Sequence, residues 1–265
     1  MAENNSVTII QITDSHLRKE PDGVLLGMNT RDSLDAVLDL VKAHCHQPDL
    51  VLATGDIAQD GSAGAYQCFD QKISAFSCPV IYFSGNHDDP AVMSATINRP
   101  ESFEKVWHSE YWKLIFLDSS VRSKVSGALA AEEIDLLRQT LATDKAKHTG
   151  ICFHHHPVPV GSAWLDTIGL LNSAELFSVL DQFEQTRMLL WGHIHQEFDQ
   201  YRNGVRLLAT PSTCVQFKPE SEEFAVDSLS PGYRWLTLMA DGTINTGVER
   251  VEHIEFAIDL SSKGY

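Results

Sequence analysis

Residues 78–89 read CPVIYFSGNHDD, an apolar run followed by a Ser-Gly pair, an amide, an imidazole and two carboxylates. The β-branched and aromatic residues of this run are typical of a buried strand, and the Ser-Gly pair is typical of its end. A polar turn would explain the four side chains if the stretch stood alone. The same arrangement recurs along the chain, and this recurrence predicts the fold.

Five further apolar runs end in glycine or polar residues: VTIIQIT (7–13), DLVLATG (49–55), WKLIFLD (112–118), TGICFHH (149–155) and RMLLWG (187–192). Helical patterns lie between most of these runs, as in residues 29–44, where apolar side chains recur every three or four positions. Strand patterns near 205–209, 234–239 and 244–250 follow one another without helices. Alternation first and consecutive strands later predict an α/β fold with two mixed sheets packed together.

The composition limits the partners of the chain. Its 265 residues carry a formal net charge of -16, which argues against nucleic acid and anionic membranes as partners. A phosphate-bearing substrate would then need a concentrated local positive charge, which the few Lys or Arg clusters do not supply. The five cysteines are scattered without a C-x-x-C pair, as in reduced cytoplasmic proteins. We therefore expect a cytoplasmic protein without a membrane partner, and the sequence leaves monomer and homodimer open.

The polar residues at the strand ends form an ordered series: Asp14 and His16, Asp56, Asn86 and His87, the triplet of residues 154–156, and His193 and His195. Ligands of open α/β sheets bind beyond the carboxyl ends of the strands, so these groups should converge. Imidazole, carboxylate and amide oxygen suit Mn, Fe, Zn, Co or Ni. A lone D-x-H or GD is often only a turn. His193 and His195 are a stronger signal, because alternate side chains of a strand share one face.

The order D-x-H, GD, GNH-D, His before Pro and GHxH resembles the calcineurin-like metallophosphoesterases over residues 7–209. The stretches IIQITDSHL, ATGDIAQD, FHHHPVPVGSAWLD, WGHIHQE and LLATPSTCVQFKPES are similar to the bacterial 3′,5′-cyclic AMP phosphodiesterases of that superfamily. SGALAAEE at 126–133 departs from the expected His-Gly-x-Leu opening. The resemblance implies a four-layer α/β/β/α sandwich of two mixed sheets flanked by helices. It also implies a single domain over 1–265, with residues 210–265 as a C-terminal extension packed on it.

The resemblance implies seven metal ligands: Asp14, His16, Asp56, Asn86, His155, His193 and His195. Asp14, His16 and His195 would hold one divalent ion, and Asn86, His155 and His193 the other, with Asp56 between them. Fe²⁺ or Mn²⁺ is the expected metal. A metal-bound hydroxide would attack phosphorus and convert 3′,5′-cyclic AMP to 5′-AMP.

Two other activities stay open at this point. One is a broader phosphodiesterase acting on 2′,3′-cyclic nucleotides or glycerophosphodiesters. The other is a metal-free scaffold of the same fold, which should show substituted ligands. None of the seven ligands is substituted here.

His87 follows a metal ligand, and the resemblance implies that it stabilises or protonates the leaving alkoxide. Asp88 would hold that imidazole in orientation. Both are predicted catalytic residues. The residues predicted to contact the substrate are His16, Asp56, Asn86, His87 and His195.

The choice of ligand among His154, His155 and His156 rests on two arguments. The family ligand is the His followed by one residue and then Pro, which is His155. Alternation along a regular strand lets one member face the site, unless His154 and His156 do so as a pair. A pair would give eight ligands and crowd out the open position that catalysis requires. His155 is therefore the predicted ligand, and its two neighbours are predicted packing or supporting residues.

Overall fold

The structure is a computed structural model that describes residues 6–45, 47–143, 147–252 and 255–264. Within these ranges the strands β1 to β15 are, in chain order, Ser6–Ile12, Val24–Leu25, Met28–Asn29, Leu50–Thr54, Val80–Phe83, Val106–His108, Trp112–Phe116, His148–Cys152, Thr186–Trp191, Phe198–Arg202, Val205–Ala209, Gln216–Phe217, Val226–Asp227, Gly232–Met239 and Ile244–Arg250. The helices α1 to α6 are Thr30–His44, Ala63–Ile73, Pro90–Ile97, Ala131–Ala142, Ala163–Asp166 and Ser173–Leu180, and a 3₁₀ turn covers Pro100–Phe103.

Two mixed sheets form the centre of the fold. The first has the strand order β15-β14-β1-β4-β5, in which β1, β4 and β5 are parallel and β14 and β15 are antiparallel. The second has the order β10-β11-β9-β8-β7-β6, with four parallel central strands and an antiparallel strand at each edge. The predicted pair of mixed sheets is confirmed.

Apolar side chains fill the three interfaces between the layers of this sandwich. Between the sheets lie Leu52 of the first sheet and Leu114 and Leu190 of the second, among others. Helices α1 and α2 pack on the outer face of the first sheet. Helices α4 and α6 pack on the outer face of the second. The four-layer order predicted from the resemblance is therefore confirmed.

Helix α1 shows why the local sequence forms these elements. The Asn29 side chain accepts hydrogen bonds from the amides of Arg31 and Asp32, which caps the start of the helix. The residues that recur every three or four positions, Leu34, Val37, Leu38 and Val41, form its buried face. Burying each such side chain stabilises the fold by about 1.5–3 kcal/mol. None of the helices in the described ranges is both long and apolar enough to cross a membrane.

The C-terminal segment contributes two strands to the first sheet. The sequence analysis described residues 210–265 as an extension packed on the domain. Strand β14 runs antiparallel to β1, with Ile9 opposite Leu236. Strand β15 then forms the edge of that sheet. Because β14 covers one side of the central strand β1, this segment belongs to the core that supports the site.

Candidate metal centre

The loops that follow the strands of both sheets meet at one edge of the sandwich. The amide of Asp14 donates to the Gly55 carbonyl at 3.0 Å, and the amide of His16 donates to the Asp56 carbonyl at 2.9 Å. The amide of His193, from the second sheet, donates to both carboxylate oxygens of Asp14 at 3.1 and 3.0 Å. These bonds join the D-x-H, GD and GHxH loops.

Among the residues that the structure describes, three sets of side chains bring potential ligand atoms within 4.8 Å of one another: Asp14, His16 and His195; Asp56, His154 and His193; and His16, Asp56 and His87. Asp56 belongs to the second set and also adjoins the first, because its Oδ2 is 3.8 Å from His16 Nε2 and 3.3 Å from His154 Nε2. Asn86 adjoins them, since the next amide, that of His87, donates to Asp56 Oδ1 at 2.8 Å. The sequence prediction that these strand ends converge agrees with this arrangement.

Each of four histidine rings is oriented by one hydrogen bond to an oxygen atom. The pairs are His16 Nδ1 with Gln59 Oε1 at 2.5 Å, His154 Nδ1 with the Thr54 carbonyl at 2.8 Å, His193 Nε2 with the Ile168 carbonyl at 3.2 Å and His195 Nδ1 with the Val215 carbonyl at 2.8 Å. A carbonyl oxygen only accepts, so the bonded nitrogen carries a hydrogen and the other nitrogen is the one available to a cation. In its neutral form each of the four rings presents that second nitrogen as a lone pair.

The donor set fits divalent cations. His16 Nε2 and His195 Nε2 lie 3.1 Å apart, and two lone pairs at this separation repel unless a cation lies near both. His154 Nε2 and Asn86 Oδ1 are buried and have no hydrogen-bond partner among the described residues. Leaving such an atom without a partner costs about 1–3 kcal/mol. Carboxylate, imidazole and amide oxygen are ligands of Mn, Fe and Zn.

Burial and the two carboxylates also set the pKa values of the histidines in the site. Burial lowers the pKa of His16 to about 3 and holds that of His193 well below its ordinary value. Burial acts in the same direction on His154, but the carboxylates of Asp56 and Asp14 outweigh it and raise its pKa to about 9. The two carboxylates therefore favour positive charge beside His154 Nε2.

The histidine triplet is oriented differently from the sequence expectation. His154 points to the site, with its Nε2 3.3 Å from Asp56 Oδ2. The His155 ring lies 4.6 Å from that of His193, but both of its nitrogens bond to the loop of residues 119–125, with Nδ1 2.8 Å from Ser119 Oγ and Nε2 3.1 Å from the Val125 carbonyl. The geometry therefore favours His154 over the predicted His155 as the ligand of this loop.

The reason lies in which face of β8 adjoins the site. Cys152, the last residue of β8, lies in the apolar layer between the sheets, whereas Ile151 and Phe153 pack on the outer, helical side. His154 shares the face of Cys152, and the site lies at the end of that inner layer. His156 also remains near the site, with its ring stacked on that of His193 at a centroid distance of 5.6 Å.

His87 lies beside the candidate centre and Asp88 lies behind it. The half-buried His87 ring meets the His16 ring edge-on at a centroid distance of 4.9 Å. The Asp88 carboxylate accepts hydrogen bonds from the amides of Ile57, Ala58 and Gly85 and from the Tyr66 hydroxyl. None of these four bonds involves the His87 imidazole, for which Asp88 was the predicted orienting group. They tie the Asp56 loop to the Asn86 loop.

Residues 212–217 support the site from the C-terminal side, a role that the sequence did not indicate. Ser212 Oγ donates to the Asp14 carbonyl at 2.6 Å, and the Phe217 ring stacks on that of His195 at 4.1 Å with an interplanar angle of 9°. Gln59, which accepts from His16, was also missed. Its position three residues after Asp56, within the GDIAQD stretch, was the available signal.

Five residues of the site adopt a left-handed backbone, which side chains other than glycine rarely take. The φ angles are 54° at Asp14, 44° at His16, 48° at Asp56, 66° at His193 and 50° at His195. Each such conformation costs about 1–3 kcal/mol and persists where the surrounding structure enforces it. The concentration of five strained backbone conformations in one region is typical of a functional site.

Comparison with known proteins supports the same conclusion. The family described as calcineurin-like phosphoesterase matches residues 7–197. The chain is 44% identical over 264 residues to the 3′,5′-cyclic adenosine monophosphate phosphodiesterase CpdA of Pseudomonas aeruginosa, covering 100% of this chain and 97% of the relative. It is 45% identical over 267 residues to CpdA of Escherichia coli (strain K12), with the same coverage. A dimetal phosphatase structure from Danio rerio matches in fold, with a TM-score of 0.64, 16% identity and coverage of 93% of this chain and 99% of that chain.

Proposed function

The chain belongs to the calcineurin-like phosphoesterase family, and from that premise we propose that it hydrolyses 3′,5′-cyclic AMP to 5′-AMP. The observation that carries the proposal is the convergence of two buried carboxylates and four oriented imidazoles. The full-length similarity to relatives named as cyclic AMP phosphodiesterases supports this substrate over other diesters.

We assign the ligands by proximity. Asp14, His16 and His195 would hold one divalent ion, Fe²⁺ or Mn²⁺. Asn86, His154 and His193 would hold the second, and Asp56 would contact both. Two ions held there would supply positive charge for the phosphoryl oxygens and would lower the pKa of a water to about 7, which is the chemistry that hydrolysis of a diester at neutral pH requires.

The protein surroundings suit a monoanionic diester. Two carboxylates against two dications leave a formal charge of about +2 in a chain whose net charge is -16. His16, Asp56, Asn86, His87 and His195 would surround the phosphoryl group. Cytoplasmic location and a homodimer stay predictions.

Metal removal is the direct test of this proposal. Chelation followed by desalting should abolish release of 5′-AMP from cyclic AMP, and Mn²⁺ or Fe²⁺ should restore it. Cu²⁺ should not, because its tetragonal preference fits mixed nitrogen and oxygen sites poorly. Elemental analysis of each sample gives the metal content per chain. Full activity in metal-free protein would overturn the proposal, and a panel of cyclic GMP, 2′,3′-cyclic AMP and a chromogenic diester would define the substrate.

His87 tests the leaving-group step. The imidazole would protonate or stabilise the departing 3′-oxygen, so His87→Ala should lower kcat by roughly 10²–10⁴-fold, the range for a general acid. Metal content should not change. A diester with a p-nitrophenolate leaving group needs no proton, so its hydrolysis should decline much less. If both substrates lost the same factor, His87 would have a different role.

A further inference from the structure

A cavity of about 480 Å³ opens directly beside Asn86. One wall consists of Gly85, Asn86, Asp88 and the start of α3 at residues 89–91, and residues 120–123 of the loop after β7 form the other. The volume is within the range of about 300–1,000 Å³ for small-molecule sites. Because Asn86 belongs both to this cavity and to the candidate metal centre, a phosphoester bound at the centre can extend into it.

Arg122 lines this cavity and differs from every other arginine of the chain. The remaining nine arginines each donate at least one hydrogen bond to a carbonyl, hydroxyl or carboxylate oxygen. For Arg122 no hydrogen bond or ion pair occurs with any residue that the structure describes, and its side chain is exposed. A guanidinium without a protein partner, in a strongly acidic chain, has its donors available for a ligand.

Hydrogen bonds hold the loop that carries Arg122 in place, although they do not involve the Arg122 side chain. His155 holds both ends, through Ser119 Oγ at 2.8 Å and the Val125 carbonyl at 3.1 Å. Within the loop, the amide of Lys124 donates to the Val121 carbonyl at 2.9 Å. The backbone of Ser123 is left-handed, with φ at 61°. His155 is thus a positioning residue for this wall of the cavity.

The lining argues against a second phosphate as the occupant. Asp88 and Asp89 are among the residues that line the cavity, and their negative charge disfavours an anion there. The start of α3 is also occupied, because Asp89 Oδ1 accepts from the amides of Ala91 and Val92. An uncharged group with hydrogen-bond acceptors suits these surroundings better.

We propose that this cavity receives the nucleoside of the cyclic nucleotide and that Arg122 donates hydrogen bonds to its purine base. The inference rests on the proposed hydrolysis of cyclic AMP. Pro90, Ala91 and Val121 supply apolar surface for a planar ring, while the fixed loop presents the guanidinium to the ring nitrogens. Arg122 would then set substrate selectivity, and the metal centre would set the reaction.

The test compares Arg122→Ala with Lys124→Ala on two substrates. Lys124 is exposed, lies in the same loop and carries the same charge, but it is outside the cavity lining. For cyclic AMP, Arg122→Ala should lower kcat/KM by about 10-fold, mainly through KM, the loss expected for a charged hydrogen bond. The kcat/KM for methyl p-nitrophenyl phosphate, a diester without a nucleoside, should fall far less in Arg122→Ala. Lys124→Ala should change kcat/KM for both substrates by the same small factor.

A binding measurement separates this inference from the proposed reaction. Calorimetry on the metal-loaded protein should show that Arg122→Ala weakens binding of AMP by about 10-fold and leaves binding of inorganic phosphate nearly the same. Equal losses for AMP and phosphate, or for the two diesters, would place Arg122 at the phosphoryl group and overturn the proposal, as would no loss at all. A wild-type protein that binds AMP through Arg122 but does not hydrolyse cyclic AMP would overturn the reaction and retain the nucleoside site.

Discussion

Replacement of Asp56 by alanine is expected to lower kcat on cyclic AMP by at least about 10³-fold, because the several kcal/mol of charge stabilisation that two ions supply would be lost. Asp56 lies between both ligand sets, with its Oδ2 3.8 Å from His16 Nε2 and 3.3 Å from His154 Nε2. The change should therefore lower the bound metal by one or two ions per chain, measured by elemental analysis of the same preparation that is assayed.

Asp60→Ala is the matched control for this loss. Asp60 lies four residues further along, is exposed and accepts hydrogen bonds from the amides of Lys19 and Ser62. Its replacement removes a carboxylate from the same segment without touching the centre, so metal content and kcat should stay close to those of the wild type. Two metals per chain with near-normal turnover in Asp56→Ala would show that Asp56 is only a turn residue.

His154→Ala and His155→Ala should have opposite consequences, and this pair decides between the structure and the sequence expectation. His154→Ala removes an imidazole whose Nε2 faces Asp56, so about one metal per chain and most activity should be lost. His155→Ala removes the ring that holds Ser119 and Val125, so both metals should remain. The free energy of unfolding should fall by about 1–3 kcal/mol, because buried polar groups lose their partner.

Two readouts keep the His155 result interpretable. His155→Gln retains an amide donor and should recover part of the lost stability in a denaturant titration. KM for cyclic AMP should rise in His155→Ala, since the loop that carries Arg122 loses its attachment, while kcat changes less. Loss of a metal in His155→Ala together with full metal content in His154→Ala would restore the assignment made from the sequence.

The strand-end pattern predicted two packed mixed sheets and the convergence of polar side chains at one edge, because buried strands and their polar ends leave a direct signal in the sequence. The face assignment at β8 could not be predicted in the same way. Alternation separates His154 from His155, but only the packing of Cys152 shows which side leads to the inner layer. The local pattern therefore identified the candidate loop, whereas the orientation of its histidine side chains depends on the second sheet.

Contacts between residues distant in the chain could not be predicted from the sequence pattern either. Asp88 follows His87 directly, which suggested a partnership, yet its carboxylate bonds to the amides of Ile57 and Ala58 in another loop. Phe217 shows the same limit, since its contact with His195 arises only when the β11–β12 connection folds back over the site. Arg122 lies in no motif, and only the folded chain shows that it has no hydrogen-bond or ion-pair partner among the described residues.

The left-handed backbone lowers the stability of the folded chain at the same positions that supply the proposed metal ligands, which are Asp14, His16, Asp56, His193 and His195. Glycine would adopt these angles without strain, and relief of about 1–3 kcal/mol exceeds its extra entropy loss of about 0.5–1 kcal/mol. An Asp56→Gly chain would gain this relief but would leave the His87 amide without its acceptor, at a cost of about 1–3 kcal/mol, so its resistance to heat should stay close to that of its parent. The carboxylate proposed to contact both metal sites would nevertheless be gone. Selection for heat resistance alone, in medium without metal, would therefore not oppose the replacement of ligands by glycine and could lead this lineage to an inert protein of unchanged shape.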